Sequence, residues 1–435
     1  MHDEGAQSSP KIFANIFISF VGAGVLGLPF AYKEAGVMEG FIIMTLIGLV
    51  STKAMLLLID CKYKLLAKRP NGSSTHDVET VEAASPQIPD RDIEYGDIGY
   101  YAIGSFGRYL VEVSIIVSQV GFSCAYLIFI TENINNVLPN LSKGAILIGL
   151  LLPLFFLSLL RHLQSLGTFS LFADFANIFA YGIVYYFDLS QTHHIKLHPR
   201  AWSLEGFPFF LGIAIYCYEG AGMILSLEQS VAKEKRGKFR TLFKIAMFIV
   251  TSIYISFGTF GYLSFGPETN SIITLNLPSG PFPLIVKLCL SFSLFFTYPV
   301  MMFPVVRIIE LKMFGDPQSS GHAGIVIRAC LVILTGLVIT AIPNFANLMA
   351  LVGSSCCTLL SFTLPGFFHM KVFKDDKRRL ARAFDWLLIL LGIVGALIGT
   401  QDALSRIFSG SGAEVVIDGN GPTAPALSST HKQQL

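Results

Sequence analysis

The side chains best suited to chemistry in this sequence stand where a charge is most expensive. Within the apolar run 206–228, the order Tyr216-Cys217-Tyr218-Glu219-Gly220-Ala221-Gly222 puts a carboxylate about halfway along the run. Ionised and facing lipid, it would cost on the order of 3 kcal/mol. Such a group must face a cavity, be paired, or hold a proton. Two more carboxylates, Glu112 and Asp174, also lie in apolar runs. A carboxyl group taken out of water keeps its proton to higher pH, so each of the three could alternate between neutral and charged as its access switches sides. Glu219 ranks first. Asp174 comes second, with Asn177 nearly one turn away as a simple bonding partner. Glu112, near the end of its run, doubles as a solvated or paired anchor.

The backbone offers a second kind of chemistry. The stretch 21–29 reads Val-Gly-Ala-Gly-Val-Leu-Gly-Leu-Pro inside the apolar run 12–34. A spanning helix must satisfy its own hydrogen bonds, so Gly22, Gly24, Gly27 and Pro29 crowded together mark a place for the helix to open. Gly22-Ala23-Gly24 recurs as Gly220-Ala221-Gly222, beside Glu219. Small residues also serve close helix packing, and a tripeptide repeats by chance. Position favours the functional reading, because the two copies fall in the first and sixth apolar runs. Paired interrupted helices in two inverted halves are the transporter pattern of the leucine-transporter class, with the site at the midplane.

These segments must be positioned by a membrane-spanning scaffold. The chain has 435 residues, 53% hydrophobic and 14% charged, with a mean hydropathy of +0.61. Soluble domains carry roughly 25% charged residues. Windows of about 20 apolar residues give about eleven spans, at 12–34, 37–60, 106–138, 144–161, 167–188, 206–228, 240–264, 282–309, 323–342, 345–370 and 384–406. The expected fold is an all-α polytopic membrane protein with a 5+5 inverted repeat, broken helices one and six, and one extra helix. Residues 1–11 form a cytosolic amino terminus. The first five-helix repeat covers 12–188 with a polar loop at 61–105, the second covers 206–370, the eleventh helix is 384–406, and 409–435 is a disordered tail. The Pro, Gly, Ser and acidic composition of 70–92 also predicts disorder.

Orientation follows from the basic residues. A cytosolic amino terminus puts Lys62, Lys64, Lys68, Arg69, Arg91, Arg161, the run Lys233 to Lys238, Lys312 and the run Lys371 to Arg382 on the cytosolic side. The other side keeps Lys33, Lys143, Lys196, Arg200, Arg406 and Lys432. Asn140-Leu141-Ser142 is then a glycosylation sequon on the non-cytosolic face. The net charge of +2 and the absence of a basic stripe with interleaved aromatics argue against nucleic acid. The 7 cysteines lack metal or disulfide spacing and read as small core residues. His193, His194 and His198 are close in sequence but have no acidic partner in their loop. No motif calls for a metal, a cofactor or an enzymatic nucleophile.

Three stretches carry a family resemblance. Gly22-Ala23-Gly24-Val25-Leu26-Gly27-Leu28-Pro29, Tyr95-Gly96-Asp97-Ile98-Gly99, and Tyr218-Glu219-Gly220-Ala221-Gly222 followed by Glu228 occur in that order. With the spanning pattern, they make the chain resemble the amino acid/auxin permease family, particularly its proton-coupled and vacuolar branches. Ser226 stands where many members have proline, and the first half of helix one has no histidine. The resemblance implies a secondary active transporter of neutral amino acids, coupled to protons rather than sodium, in a vacuolar or lysosomal membrane or the plasma membrane.

An amino acid substrate gives the motifs definite roles. Amides around Gly22, Ala23, Gly24 and Val25 begin the second half of helix one and suit a carboxylate. Carbonyls around Tyr218, Glu219 and Gly220 suit an ammonium. Among the polar side chains of helices three and eight, Tyr126 is the preferred pocket wall. Ser293 and Thr297, one turn apart, are the possible ion site if sodium is the coupling ion. The alternative function is an amino acid receptor or transceptor that uses the same pocket and reports occupancy through its cytosolic loops.

Overall fold

The structure, a computed structural model, describes residues 8–67, 92–160, 167–191, 200–315, 321–374 and 379–409, and within these the side chains at 167–175, 188 and 191 are outside the description. All regular elements among the described residues are helical. They are α1 (Ser9–Phe20), α2 (Leu28–Ala35), α3 (Val37–Ala67), α4 (Tyr95–Ile103), α5 (Ser105–Val137), α6 (Lys143–Ser158), α7 (Gly167–Gln191), α8 (Phe207–Cys217), α9 (Ile224–Gln229), α10 (Arg236–Phe265), α11 (Pro281–Phe314), α12 (Gly321–Ala341), α13 (Phe345–Val352), α14 (Leu364–Val372) and α15 (Arg379–Phe408). Among the described residues seven helices are long and apolar enough to cross a membrane, with α13, two π-helical stretches and α14 forming one of them. The pair Ser9–Phe20 and Ala23–Ala35 makes a further span bent by 46°. Lys143–Ser158, Ala176–Phe187 and Phe207–Cys217 are shorter apolar helices. The chain is a polytopic all-helical membrane protein.

The packing has the polarity a bilayer demands. Trp386, Leu390 and Leu397 on α15 and Val326, Ile333 and Leu337 on α12 are exposed, as lipid-facing side chains should be. The centre is α8, where every residue from Phe209 to Cys217 is buried. It packs against α2, α13 and α15. Gly212 and Gly353 let α8 approach α13 and the π-helical stretch backbone to backbone, since a Cβ at Gly212 would lie 2.6 Å from the Ala350 carbonyl oxygen and one at Gly353 would collide with the Gly212 carbonyl.

Local signals explain the element ends. Asn344 follows Pro343 and accepts the Asn347 amide at 3.0 Å, so the short turn 342–344 separates α12 from α13 as expected. Ser142 caps α6 in the same way, accepting the Ala145 amide at 3.3 Å. Gly36, with φ of 98°, ends α2 where a Cβ would collide with Ala201.

Two expectations need correction. The polar loop 61–105 is partly helical, because α3 runs on to Ala67 and α4 occupies Tyr95–Ile103. A reciprocal cap starts α4: the Glu94 amide donates to Asp97 at 3.0 Å, and the Glu94 side chain accepts in return. The cysteines are not all core residues. Cys61, Cys124, Cys217 and Cys357 are buried, but Cys330 is exposed on the outer face of α12, where an apolar thiol is as acceptable to lipid as to the core. The segments 70–92 and 409–435 lie almost wholly outside the described residues, as do His193, His194, His198 and Arg161.

Candidate functional site

Helix one opens where its glycines stand. After α1 the chain passes through Gly22 in an extended conformation, φ −115° and ψ −173°, then through a 3-10 turn, Ala23–Gly27, into α2. Pro29 sits in the first turn of α2, where a missing N–H costs nothing. Of the four amides expected here, two are spent locally: Gly22 donates to the Phe20 carbonyl at 2.9 Å and Val25 to the Gly22 carbonyl at 3.2 Å. Those of Ala23 and Gly24 open the 3-10 turn and have no backbone acceptor. Their N–H groups stand at the positive end of the second half of helix one, an arrangement that suits an anion.

Helix six breaks between α8 and α9, over residues 218–223. The Gly220 carbonyl accepts from Met223 at 3.1 Å and from Ile224 at 2.9 Å. The carbonyls of Tyr218 and Glu219 receive no backbone donor, so they are the ones the break releases. The Glu219 side chain is 6% exposed and accepts the Gly222 amide at 3.2 Å. Among the described residues no lysine, arginine or histidine pairs with it. Other buried carboxylates have such partners: Glu228 faces Lys62 at 2.6 Å, Glu310 faces Arg328 at 2.5 Å, and Asp385 faces His369 at 2.8 Å. Glu39 resembles Glu219 in having only a backbone donor, the Ser203 amide at 2.9 Å.

The two breaks touch. A Cβ on Gly24 would stand 3.1 Å from the Cys217 sulfur and 3.2 Å from the Tyr216 ring. Gly220 lies against the Phe20 ring and Met55 in the same way. Thr251 and Tyr254, on one face of α10, attend both breaks. Thr251 accepts the Tyr218 hydroxyl at 2.9 Å, while the Tyr254 hydroxyl bonds to the Phe20 carbonyl and lies 3.3 Å from that of Cys217. Around them is an aromatic wall. Phe122 meets Tyr216 edge-on at 4.6 Å, and Tyr126, one turn further along α5, is buried. The hydroxyls of Tyr181 and Tyr216 are buried without a partner. Unpartnered hydroxyls also occur elsewhere among the described residues, at Ser51, Thr131 and Ser291 for example, so these two are available to a polar ligand without marking a site by themselves.

Gly22, Ala23, Gly24, Val25, Tyr218, Glu219 and Gly220 therefore gather around one junction, and Tyr126 is buried one turn from Phe122, which touches the junction through Tyr216. The remaining candidates stand elsewhere or make other bonds. Glu112 is half-buried and faces Lys312 at 3.5 Å. Asp174 lies on α7, where its side chain is outside the described residues. Thr297 donates to the Ser293 carbonyl at 2.8 Å, and the Ser293 hydroxyl is buried without a partner. Asn140 is exposed in the turn between α5 and α6. Sequence reasoning passed over Tyr254 and Tyr181, which are ordinary tyrosines in apolar runs with no local mark. It also placed Lys62 in a loop. The mark of its real position was Glu228, a second charge at the end of an apolar run.

Comparison with known proteins shows the family. Residues 5–405 match the model of a family described as transmembrane amino acid transporter protein. Amino acid transporter AVT3B of Arabidopsis thaliana is 35% identical over 420 residues, 92% of this chain and 94% of its own. Amino acid transporter AVT3C is also 35% identical, over 93% of this chain and 92% of its own. Amino acid transporter ANT1 from the same plant is 31% identical, over 91% of this chain and 92% of its own. With the match running across nearly all of the spanning helices, the chain belongs to the transmembrane amino acid transporter family.

Proposed function

We propose that the chain is a proton-coupled secondary active transporter of neutral amino acids that works by alternating access. The observation that carries the reading is the junction of the two breaks. Free amides of Ala23 and Gly24 stand on one side, released carbonyls of Tyr218 and Glu219 on the other, and the Gly24 backbone packs against Tyr216 and Cys217. The first pair suits a substrate carboxylate and the second an ammonium. An aromatic wall of Phe122, Tyr126 and Tyr216 leaves the substrate side chain without a charged partner, which supports uncharged amino acids.

Proton coupling rests on Glu219. Ionised, a buried carboxylate without a cation beside it is costly, and neutral it is not. A group of this kind can take a proton on one side and release it on the other. Asp174 and Glu112 are the second and third candidates for this role. The reading includes about eleven spans arranged as two inverted five-helix repeats and one extra helix, and an amino terminus in the cytosol, supported by the distribution of lysine and arginine. A vacuolar or lysosomal membrane is supported by the resemblance to the vacuolar branch. The test is reconstitution into liposomes with a panel of labelled amino acids under an imposed pH gradient, with sodium replaced by choline. Uptake of neutral amino acids that follows the pH gradient and ignores sodium is expected; uptake that requires sodium and ignores the gradient refutes the coupling.

A further inference from the structure

The Tyr254 hydroxyl occupies an electrostatically unusual point. Phe20 is the last residue of α1 and Cys217 the last residue of α8. Their carbonyls lie at the negative ends of two helix dipoles, and both are within reach of one phenol oxygen. Carbonyls released at the ends of half-helices are the groups with which interrupted membrane helices hold a cation. Here the place between them is filled. The Tyr254 side chain is 1% exposed, its ring packs 5.3 Å from that of Tyr218, and the positive end of its O–H points at the carbonyls. The Phe20 carbonyl takes a second donor, the Gly22 amide. A neutral hydroxyl thus satisfies acceptors that otherwise call for a monovalent ion.

We propose that Tyr254 is a positioning residue for transport, its phenol O–H standing where a coupling cation would otherwise bridge the two half-helix ends. The inference rests on amino acid transport but not on which ion drives it. Its consequence is that the two breaks stay joined whether or not sodium is present. Removing the hydroxyl while keeping the ring, in Tyr254→Phe, leaves the Phe20 carbonyl with the Gly22 amide alone, takes from the Cys217 carbonyl the hydroxyl 3.3 Å away, and admits no ion. Shortening the side chain, in Tyr254→Ser, keeps an oxygen and opens room for one.

The experiment uses the full chain purified in detergent and reconstituted in liposomes at a single pH on both sides, in sodium chloride or choline chloride. Counterflow of a labelled amino acid mixture should fall about tenfold in Tyr254→Phe, in both salts, with the variant still monodisperse. Sodium should raise the thermal unfolding temperature of Tyr254→Ser relative to choline, and leave the wild type and Tyr254→Phe unmoved. Counterflow of Tyr254→Phe at the wild-type rate overturns the proposal, as does a sodium response shared equally by Tyr254→Ser and the wild type. If Tyr254→Ser does not fold, the Tyr254→Phe counterflow decides alone. Absence of counterflow in the wild type counts against the transport reading instead, and the sodium shift is read without it.

Discussion

Replacement of Gly24 tests the junction of the two breaks most directly, and the structure supplies its own control. An alanine Cβ at Gly24 would sit 3.1 Å from the Cys217 sulfur and 3.2 and 3.3 Å from two Tyr216 ring carbons, so the neighbours must give by a few tenths of an ångström. Overpacking of this kind costs about 1–3 kcal/mol. If that strain falls on the substrate-holding state, it corresponds to a loss of about 5- to 150-fold. Leucine at the same place has no room for its branch and forces the breaks apart. Gly22 lies two residues earlier, yet a Cβ there meets nothing within 4 Å, and its extended backbone suits any residue. Gly22→Ala should therefore leave stability unchanged or raise it by about 0.4–1 kcal/mol. The assay is the initial uptake rate in liposomes at matched protein incorporation, with thermal unfolding in parallel. Wild-type uptake by Gly24→Leu refutes the reasoning, as do equal losses of stability in Gly22→Ala and Gly24→Ala.

Other perturbations separate the remaining roles. Glu219→Gln keeps an acceptor for the Gly222 amide but cannot gain or lose a proton, so pH-driven accumulation should disappear while exchange between substrate pools persists; unchanged dependence on the gradient sinks the assignment. Glu228→Leu strands the buried Lys62 ammonium and should destabilise by about 3–5 kcal/mol, whereas Lys62→Met with Glu228→Leu should recover most of that loss. A double variant as unstable as Glu228→Leu alone would show that the 2.6 Å ion pair is not what holds α9 to α3. Asn140, exposed between α5 and α6, should carry a glycan when the protein is made in a eukaryotic host. A mass unchanged by Asn140→Gln would argue against the assigned orientation.

What the sequence made legible follows from what lipid enforces. The breaks at Gly22-Ala23-Gly24 and Gly220-Ala221-Gly222 and the turn at Pro343 are local properties, and each is where the pattern put it. The helical extension of α3 was hidden because Lys62 looks like a loop residue until Glu228, distant in sequence, is brought beside it. The α4 helix was visible in principle through Glu94 and Asp97, three apart, but its polar flank read as loop. Among the four amides expected to bind, sequence could not tell that Gly22 and Val25 turn inward upon the break itself. Tyr254 left no trace at all. Its role exists only where the ends of α1 and α8 meet.

The neighbourhoods of the half-helices show why these residues matter together. The second half of helix one, α2, packs with the first half of helix six, α8, and α8 rests in turn on α13 and α15. The other halves share part of that company: α1 lies on α10, as α2 also does, and α9 lies on α10 and on α3, which also meets α8, with α9 pinned through Glu228 to Lys62 and Tyr63. Arg406 on α15 holds Glu34 of α2 at 2.9 Å, so α2 is pinned as well, but to another partner. Within each broken helix the two halves share one neighbour, α10 for helix one and α3 for helix six, but differ in their ion pairs, and the direct connection between them is the opened backbone. Any relative movement of the halves would bend the chain at Gly22 and at 218–223, where few helical hydrogen bonds remain to be broken. The same opened backbone presents the amides of Ala23 and Gly24 and the carbonyls of Tyr218 and Glu219. A ligand held by both pairs spans the two broken helices, so its presence changes the free energy of movement between them.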